Sequence, residues 1–301
     1  MAYQPPGDDC LDWVGRQVGA GAKVGEVTRL HGGITAAMDR IEVWYHDRLQ
    51  SVVLRRWIGD RRHDHPDTES NALEAVARHG IPAPRLIAVD PEGQFTGTPS
   101  VLMTVVDGEP NLAPTDLDDW IDQLAAMQVG IHRVPISEID GWADQRRREG
   151  WFSADRQCNW IADEGLRADA LAIASRPPVD ESVFVHGDYQ HFNVLWQDQK
   201  LTGVVDWPSA GVGLPGIDVG HCRLNLAVLF SAAAAESYLD RYQQLSGADL
   251  DVRALLRALL VWDEEWKKFI PTQVNGRTTV DLDGMAGRVA ETVRQTLRRF
   301  G

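Results

Sequence analysis

The stretch Val185-His186-Gly187-Asp188-Tyr189-Gln190-His191-Phe192-Asn193-Val194-Leu195-Trp196, followed by Gly203-Val204-Val205-Asp206-Trp207, constrains this chain more than any other. It places polar groups able to handle a proton or a metal at the ends of two short apolar runs. Residues 194–196 and 201–205 predict two strands hairpinned around Gln197-Asp198-Gln199-Lys200, so that Asn193 enters one strand and Asp206 leaves the other. On that reading both side chains can face one cation.

The residue types suit phosphoryl transfer. Such a reaction needs a carboxylate to orient an incoming hydroxyl and accept its proton, and hard oxygen ligands to hold Mg²⁺ against nucleotide phosphates. Asp188 fits the first role, and Asn193 and Asp206 fit the second. His186 is expected to brace the loop by hydrogen bonding, because Asp188 already supplies a base. The pattern His-Gly-Asp-x-x-x-x-Asn with a downstream apolar-Asp-Trp resembles the aminoglycoside phosphotransferase and choline kinase family. That resemblance implies an α/β (α+β), bilobal, protein-kinase-like fold, with a small β-rich nucleotide lobe at residues 1–106 and a larger helical lobe at 107–301. It also implies ATP or GTP as co-substrate, Mg²⁺ as cofactor and a hydroxyl of a small molecule as acceptor. Asp218, in Pro215-Gly216-Ile217-Asp218-Val219-Gly220, falls where the family places an Asp that braces the catalytic loop.

Ahead of this stretch, apolar alternation in Ile41-Glu42-Val43-Trp44-Tyr45 and the run Val52-Val53-Leu54 predict antiparallel strands, with a weaker strand near residues 24–30. Between the weaker strand and the first alternating one lies His31-Gly32-Gly33-Ile34-Thr35. Gly32 and Gly33 would let backbone N–H groups approach phosphate oxygens, although an ordinary hairpin turn uses the same residues. The family's third strand offers a Lys to the phosphates; this chain has Arg55 there, followed by Arg56. Alternation puts Val53 and Arg55 on one face, Val53 toward the base and Arg55 toward the phosphates, with Arg56 pointing to solvent. A blander reading makes both arginines solvated strand-edge charges. The helix signal at residues 67–80 puts Glu69 where the family has the partner of that cation, or simply at an acidic helix start. Residues 99–109 resemble the family's hinge, so backbone around Thr104 and Val106 would meet the adenine edge.

After the hinge the pattern becomes helical. Leu117, Trp120, Ile121, Leu124, Met127 and Ile131 predict one long core helix, and further helices are expected near 151–175, 217–235, 249–269 and 282–300. His132 is expected to pack or cap. Acidic side chains at Asp163, Glu164, Asp263, Glu264 and Glu265 would either line a pocket for a cationic acceptor or form a solvated face. Trp262 and Trp266 would suit a macrolide or a quaternary ammonium group. His63-Asp64-His65 lacks a third ligand at useful spacing and reads as a loop.

Charge bears on partners. The chain carries a net −14, and residues 107–301 hold 30 acidic against 19 basic side chains, a field that repels nucleic acid and favours cationic ligands. No apolar run is long enough to span a membrane, and the polar, acidic start is not a signal peptide, so a cytoplasmic monomer or homodimer is expected. Cys10, Cys158 and Cys222 are too scattered for a zinc ribbon or a disulfide framework. Two functional readings remain beside an antibiotic kinase. One is a metabolite kinase of choline or sugar type; the other is a non-catalytic kinase-like nucleotide-binding module, which Arg55 in place of Lys would favour.

Overall fold

The computed structural model describes residues 3–30, 36–58, 66–138, 152–153, 155–179 and 181–300. The chain divides into two compact units, Met1–Asp107 with Gly203–Ser209, and Gly108–Thr202 with Ala210–Gly301. The first unit therefore includes Asp206, which a simple cut at residue 106 assigns to the second.

The first unit opens with helix α1 (Asp8–Val18), whose first-turn Asp8 and Asp9 complement the helix dipole. Strands β1 (Lys23–Leu30), β2 (Ala37–Tyr45) and β3 (Arg48–Arg56) follow, then helix α2 (Pro66–Arg78) and strands β4 (Leu86–Asp90) and β5 (Ser100–Thr104). They form one antiparallel sheet in the order β1-β2-β3-β5-β4. Strand alternation decides which face is covered. Ile41, Val43, Val52, Leu54 and Leu102 pack with Cys10, Trp13 and Val14 of α1, so the face carrying residues 52 and 54 is buried under that helix. Val53 and Arg55 occupy the opposite face. Arg56 follows residues 52 and 54 onto the α1 face, and this overturns its expected exposure. It is buried, and its guanidinium donates to Asp39 Oδ2 through Nη2 at 2.9 Å and to the Gln4 carbonyl at 2.7 Å. Asp39 is fully buried and also accepts from the Tyr3 hydroxyl at 2.6 Å.

The second unit is mainly helical, with α3 (Leu117–His132), α4 (Glu164–Ala174), α5 (Pro215–Leu229), α6 (Ala232–Ser246), α7 (Val252–Leu259), α8 (Trp266–Val274) and α9 (Met285–Phe300). The expected segments at 217–235 and 249–269 each resolve into two helices. Ser231 caps the start of α6 by accepting from Ala234 N–H, and Asp251 caps α7. Helix α5 sits among α6, α7 and α9. Gly220 makes its contact with α7 possible: a Cβ there would lie 2.6 Å from the Ala258 Cβ.

Two short strand pairs deliver the motif. Strand β6 (Val183–Val185) pairs antiparallel with β9 (Gly211–Gly213) and ends at His186. Strands β7 (Val194–Gln197) and β8 (Lys200–Val204) form the expected hairpin with a shorter loop. Asp198 and Gln199 both have positive φ, 49° and 62°, the signature of a two-residue type I′ turn. The three cysteines are buried and not disulfide-bonded, and no described helix is long and apolar enough to cross a membrane.

Candidate active site

The loop after β6 is held from below by Asp218, which enters in the first turn of α5. Gly187, at φ 80°, lets the chain reverse so that successive amides point at this carboxylate. Gly187 N–H donates to Asp218 Oδ1 at 2.9 Å and His186 N–H to Oδ2 at 3.3 Å. Gln128 Nε2 and His132 Nε2 of α3 also reach Oδ2, at 3.1 and 3.0 Å, and the other nitrogen of His132 meets the Tyr242 hydroxyl at 2.6 Å. Burial alone would raise the Asp218 carboxyl, but the His132 contact and the other donors outweigh it and hold it below its ordinary value. His186 is buried, and its Nδ1 accepts from Asp188 N–H at 3.2 Å, which leaves the ring hydrogen on Nε2.

Asp188 is the partly exposed end of this scaffold, its side chain 23% accessible. Oδ1 accepts from His221 Nε2 at 2.8 Å and from Gln190 Nε2 at 2.9 Å. Oδ2 accepts from Asn193 Nδ2 at 3.1 Å, and the same nitrogen donates to the Asp188 carbonyl at 2.9 Å. Asn193 closes a 3-10 turn leading into β7. With Nδ2 committed to Asp188, its amide oxygen is the atom it can offer a cation.

In the first unit a second polar group gathers on the face of β3 opposite α1. Arg55 Nη1 lies 3.3 Å from Glu69 Oε1 of α2, and Nη2 lies 2.6 Å from Asp206 Oδ1. Arg55 and Glu69 are almost wholly buried, whereas the Asp206 side chain is 40% accessible. One guanidinium thus spans two carboxylates, each met by a separate nitrogen of its planar fork. Asp206 has φ 72°, a costly conformation for a residue with a Cβ and one that concentrates at functional loops. Of the proposed base contacts, Val53 shares the Arg55 face. Thr104 N–H donates to Arg85 O at 2.9 Å, so that amide is already committed, and Val106 lies in the irregular segment after β5. Gly32, Gly33 and His63-Asp64-His65 lie outside the described residues.

The acidic residues suggested for an acceptor are tied up locally. Asp163 caps α4 by accepting from Leu166 N–H at 3.0 Å and lies 3.5 Å from Arg294; Glu164 faces Arg167 at 3.9 Å. Asp263, Glu264 and Glu265 precede α8 rather than lie within a helix, and meet Arg156, Lys267 and Lys268 at 3.2, 2.6 and 2.5 Å. Trp262 is fully buried against Trp160 and Trp266 is nearly so; both belong to the core, not to a ligand wall.

The reading from sequence missed His221. The available signal was its spacing, three residues beyond Asp218 on one helix, which puts both side chains on the face toward the loop.

A mixed sheet-and-helix architecture carrying an Asp-x-x-x-x-Asn loop braced by a buried Asp, and a further Asp after a hairpin, defines a kinase-like phosphotransferase. A family model described as the phosphotransferase enzyme family matches residues 26–256, and the chain belongs to that family. An aminoglycoside 3'-phosphotransferase of Streptomyces ribosidificus is 28% identical over 204 residues, 59% of this chain and 73% of that protein. Among solved structures, a candidate aminoglycoside phosphotransferase from Ralstonia eutropha JMP134 superposes with a TM-score of 0.64 at 16% identity, covering 98% of this chain and 99% of that one. A thermostable mutant of an aminoglycoside phosphotransferase, solved with ADP and hygromycin B, gives 0.56 at 18% identity over 90% and 94% of the two chains. The chain is thus a phosphotransferase by family.

Proposed function

We propose that the chain transfers the γ-phosphate of ATP or GTP, in the presence of Mg²⁺, to a hydroxyl of an aminoglycoside or a similar polyhydroxylated amine. The observation that carries this reading is Asp188: a partly exposed carboxylate fixed by three side-chain donors on a loop that Asp218 anchors. Asp188 orients the acceptor hydroxyl. As the hydroxyl oxygen bonds to the γ-phosphorus and the bond to the departing nucleotide oxygen breaks, the hydroxyl proton passes to the Asp188 carboxylate. Asn193, through its amide oxygen, and Asp206, through its carboxylate, are the residues that would hold Mg²⁺. One charged and one neutral hard oxygen suit an ion that takes its remaining ligands from phosphate and water. That ion supplies neutralisation of phosphate charge. Arg55 binds phosphate oxygens, and Glu69 keeps its guanidinium in place. Val53 and Val106 border the base.

The acceptor class rests on the names of the relatives and on the acidic surplus of residues 107–301, since the acids proposed for the pocket are paired locally. The test is Mg²⁺-dependent nucleotide consumption, with ATP and GTP, across amino sugars, macrolides, choline and simple sugars. Acceptor-dependent turnover greatest with amino sugars is expected. Turnover greatest with choline or a sugar would move the chain to metabolite kinases, and nucleotide binding without turnover on any acceptor would make it a binding module.

A further inference from the structure

Asp188 does not stand alone on its loop. His221, one turn into α5, brings Nε2 to 2.8 Å from Asp188 Oδ1. Asn225, four residues on, places its Nδ2 3.0 Å from the His221 carbonyl and 3.3 Å from the same Nε2. A single ring nitrogen cannot both donate to a carboxylate and accept from an amide. With Asp188 ionised, Nε2 carries the hydrogen, and Asn225 spends its N–H on the His221 carbonyl. Charge-assisted bonds of this kind are the stronger ones and fix an orientation. Here the bond selects Oδ1, while Asn193 holds Oδ2. Gln190 reaches Oδ1 as well, so the carboxylate is clamped from two elements, its own loop and α5.

We propose that His221 is a positioning residue for phosphoryl transfer. Its Nε2–H locks the rotation of the Asp188 carboxylate so that the oxygen receiving the acceptor proton is presented in one orientation. Its imidazole neither touches phosphate nor takes the proton. The inference rests on Asp188 being the base, and it adds that the geometry of this base depends on a donor from α5. A loose carboxylate still permits binding but populates the productive orientation less often, so the loss falls on kcat rather than on KM.

The test compares His221→Phe, which keeps a ring without a donor, with His221→Gln, which restores an N–H near the Nε2 position. Each is made with and without Asp188→Asn, and kcat, both KM values and the melting temperature are measured. His221→Phe should lower kcat by at least about tenfold with both KM values within about threefold, and His221→Gln should recover most of the loss. In the Asp188→Asn background the His221 change should add little, because the residue acts through Asp188. Should His221→Phe fail to fold, His221→Asn, whose shorter amide does not reach the Nε2 position, serves in its place with the same expected loss. A kcat within twofold of the parent without the donor, or equal damage from the Phe and Gln variants, would overturn the inference. An Asp188→Asn enzyme with undiminished kcat would instead overturn the reading of the base itself.

Discussion

Two adjacent arginines on one strand should fail in different ways, and Arg56 gives the sharper case. Asp39 is fully buried, and its charge is met by the Arg56 guanidinium, with bonds at 2.9 and 3.3 Å, and by the Tyr3 hydroxyl. Arg56→Ala removes the only cation in that set and leaves a buried carboxylate with one neutral donor. Breaking a buried pair from one side costs about 3–5 kcal/mol. The Tyr3 contact should keep the loss near the lower end, about 3 kcal/mol, which in urea is a fall in midpoint of roughly 1–3 M. Intrinsic fluorescence during urea unfolding reads the transition, and kcat of the remaining folded enzyme should stay within about twofold because Arg56 lies on the face opposite Arg55. Replacing both partners, Arg56→Met with Asp39→Leu, should recover most of the stability, since an apolar pair of similar volume is often neutral. A midpoint shift below about 0.3 M for Arg56→Ala, or a double variant as unstable as the single one, would show that Asp39 does not depend on the Arg56 charge.

Arg55→Ala should lower kcat/KM for the nucleotide by about 1.5–3 kcal/mol, and Arg55→Lys should fall between, because an ammonium keeps the charge but lacks the planar fork that meets Glu69 and Asp206 through separate nitrogens; a silent Arg55→Ala would contradict its phosphate role. Calorimetry should show that Asp206→Ala abolishes Mg²⁺-dependent nucleotide binding while Asn193→Ala mainly raises the Mg²⁺ requirement, and undiminished binding in Asp206→Ala would speak against the assignment. His191 is fully buried, and burial holds its imidazole down at about 3 from an ordinary 6.5. Below pH 6.5 the unfolded chain takes up a proton that the folded chain refuses, so this stability is lost as pH falls toward 3. The loss should reach about 2 kcal/mol between pH 7 and pH 5. His191→Leu should flatten that dependence, and equal slopes for parent and variant would rule the histidine out as its source.

The geometry of the Asp188 loop was legible because it is local. Asp188, Asn193 and the hairpin follow from spacing and alternation within twenty residues, and the I′ turn only shortened the loop by two positions. The Arg55 face was legible for the same reason. Arg56 was not, because its burial depends on α1, an element more than thirty-five residues away that covers one face of the sheet. Alternation says that neighbouring residues face opposite ways; it does not say which face a distant helix will cover. The acids at 163–164 and 263–265 stayed open between a pocket and a solvated face for a related reason. A run of charge has no direction until capping and nearby cations are known, and here Leu166 N–H, Arg156, Lys267 and Lys268 take it up. His221 required the helix register of α5 relative to the loop, which tertiary packing supplies.

On the proposed function the Asp188 carboxylate receives the acceptor proton. The most direct measurement is the steady-state kinetics of Asp188→Asn with Mg²⁺, nucleotide and the best acceptor from the panel, alongside nucleotide affinity by calorimetry. Asparagine keeps the size and the contacts of Oδ1 or Oδ2 but cannot take a proton. The expected result is kcat lowered by about 10²–10⁴-fold, with nucleotide affinity within a few-fold of the parent. An Asp188→Asn enzyme that keeps its kcat would contradict the claim.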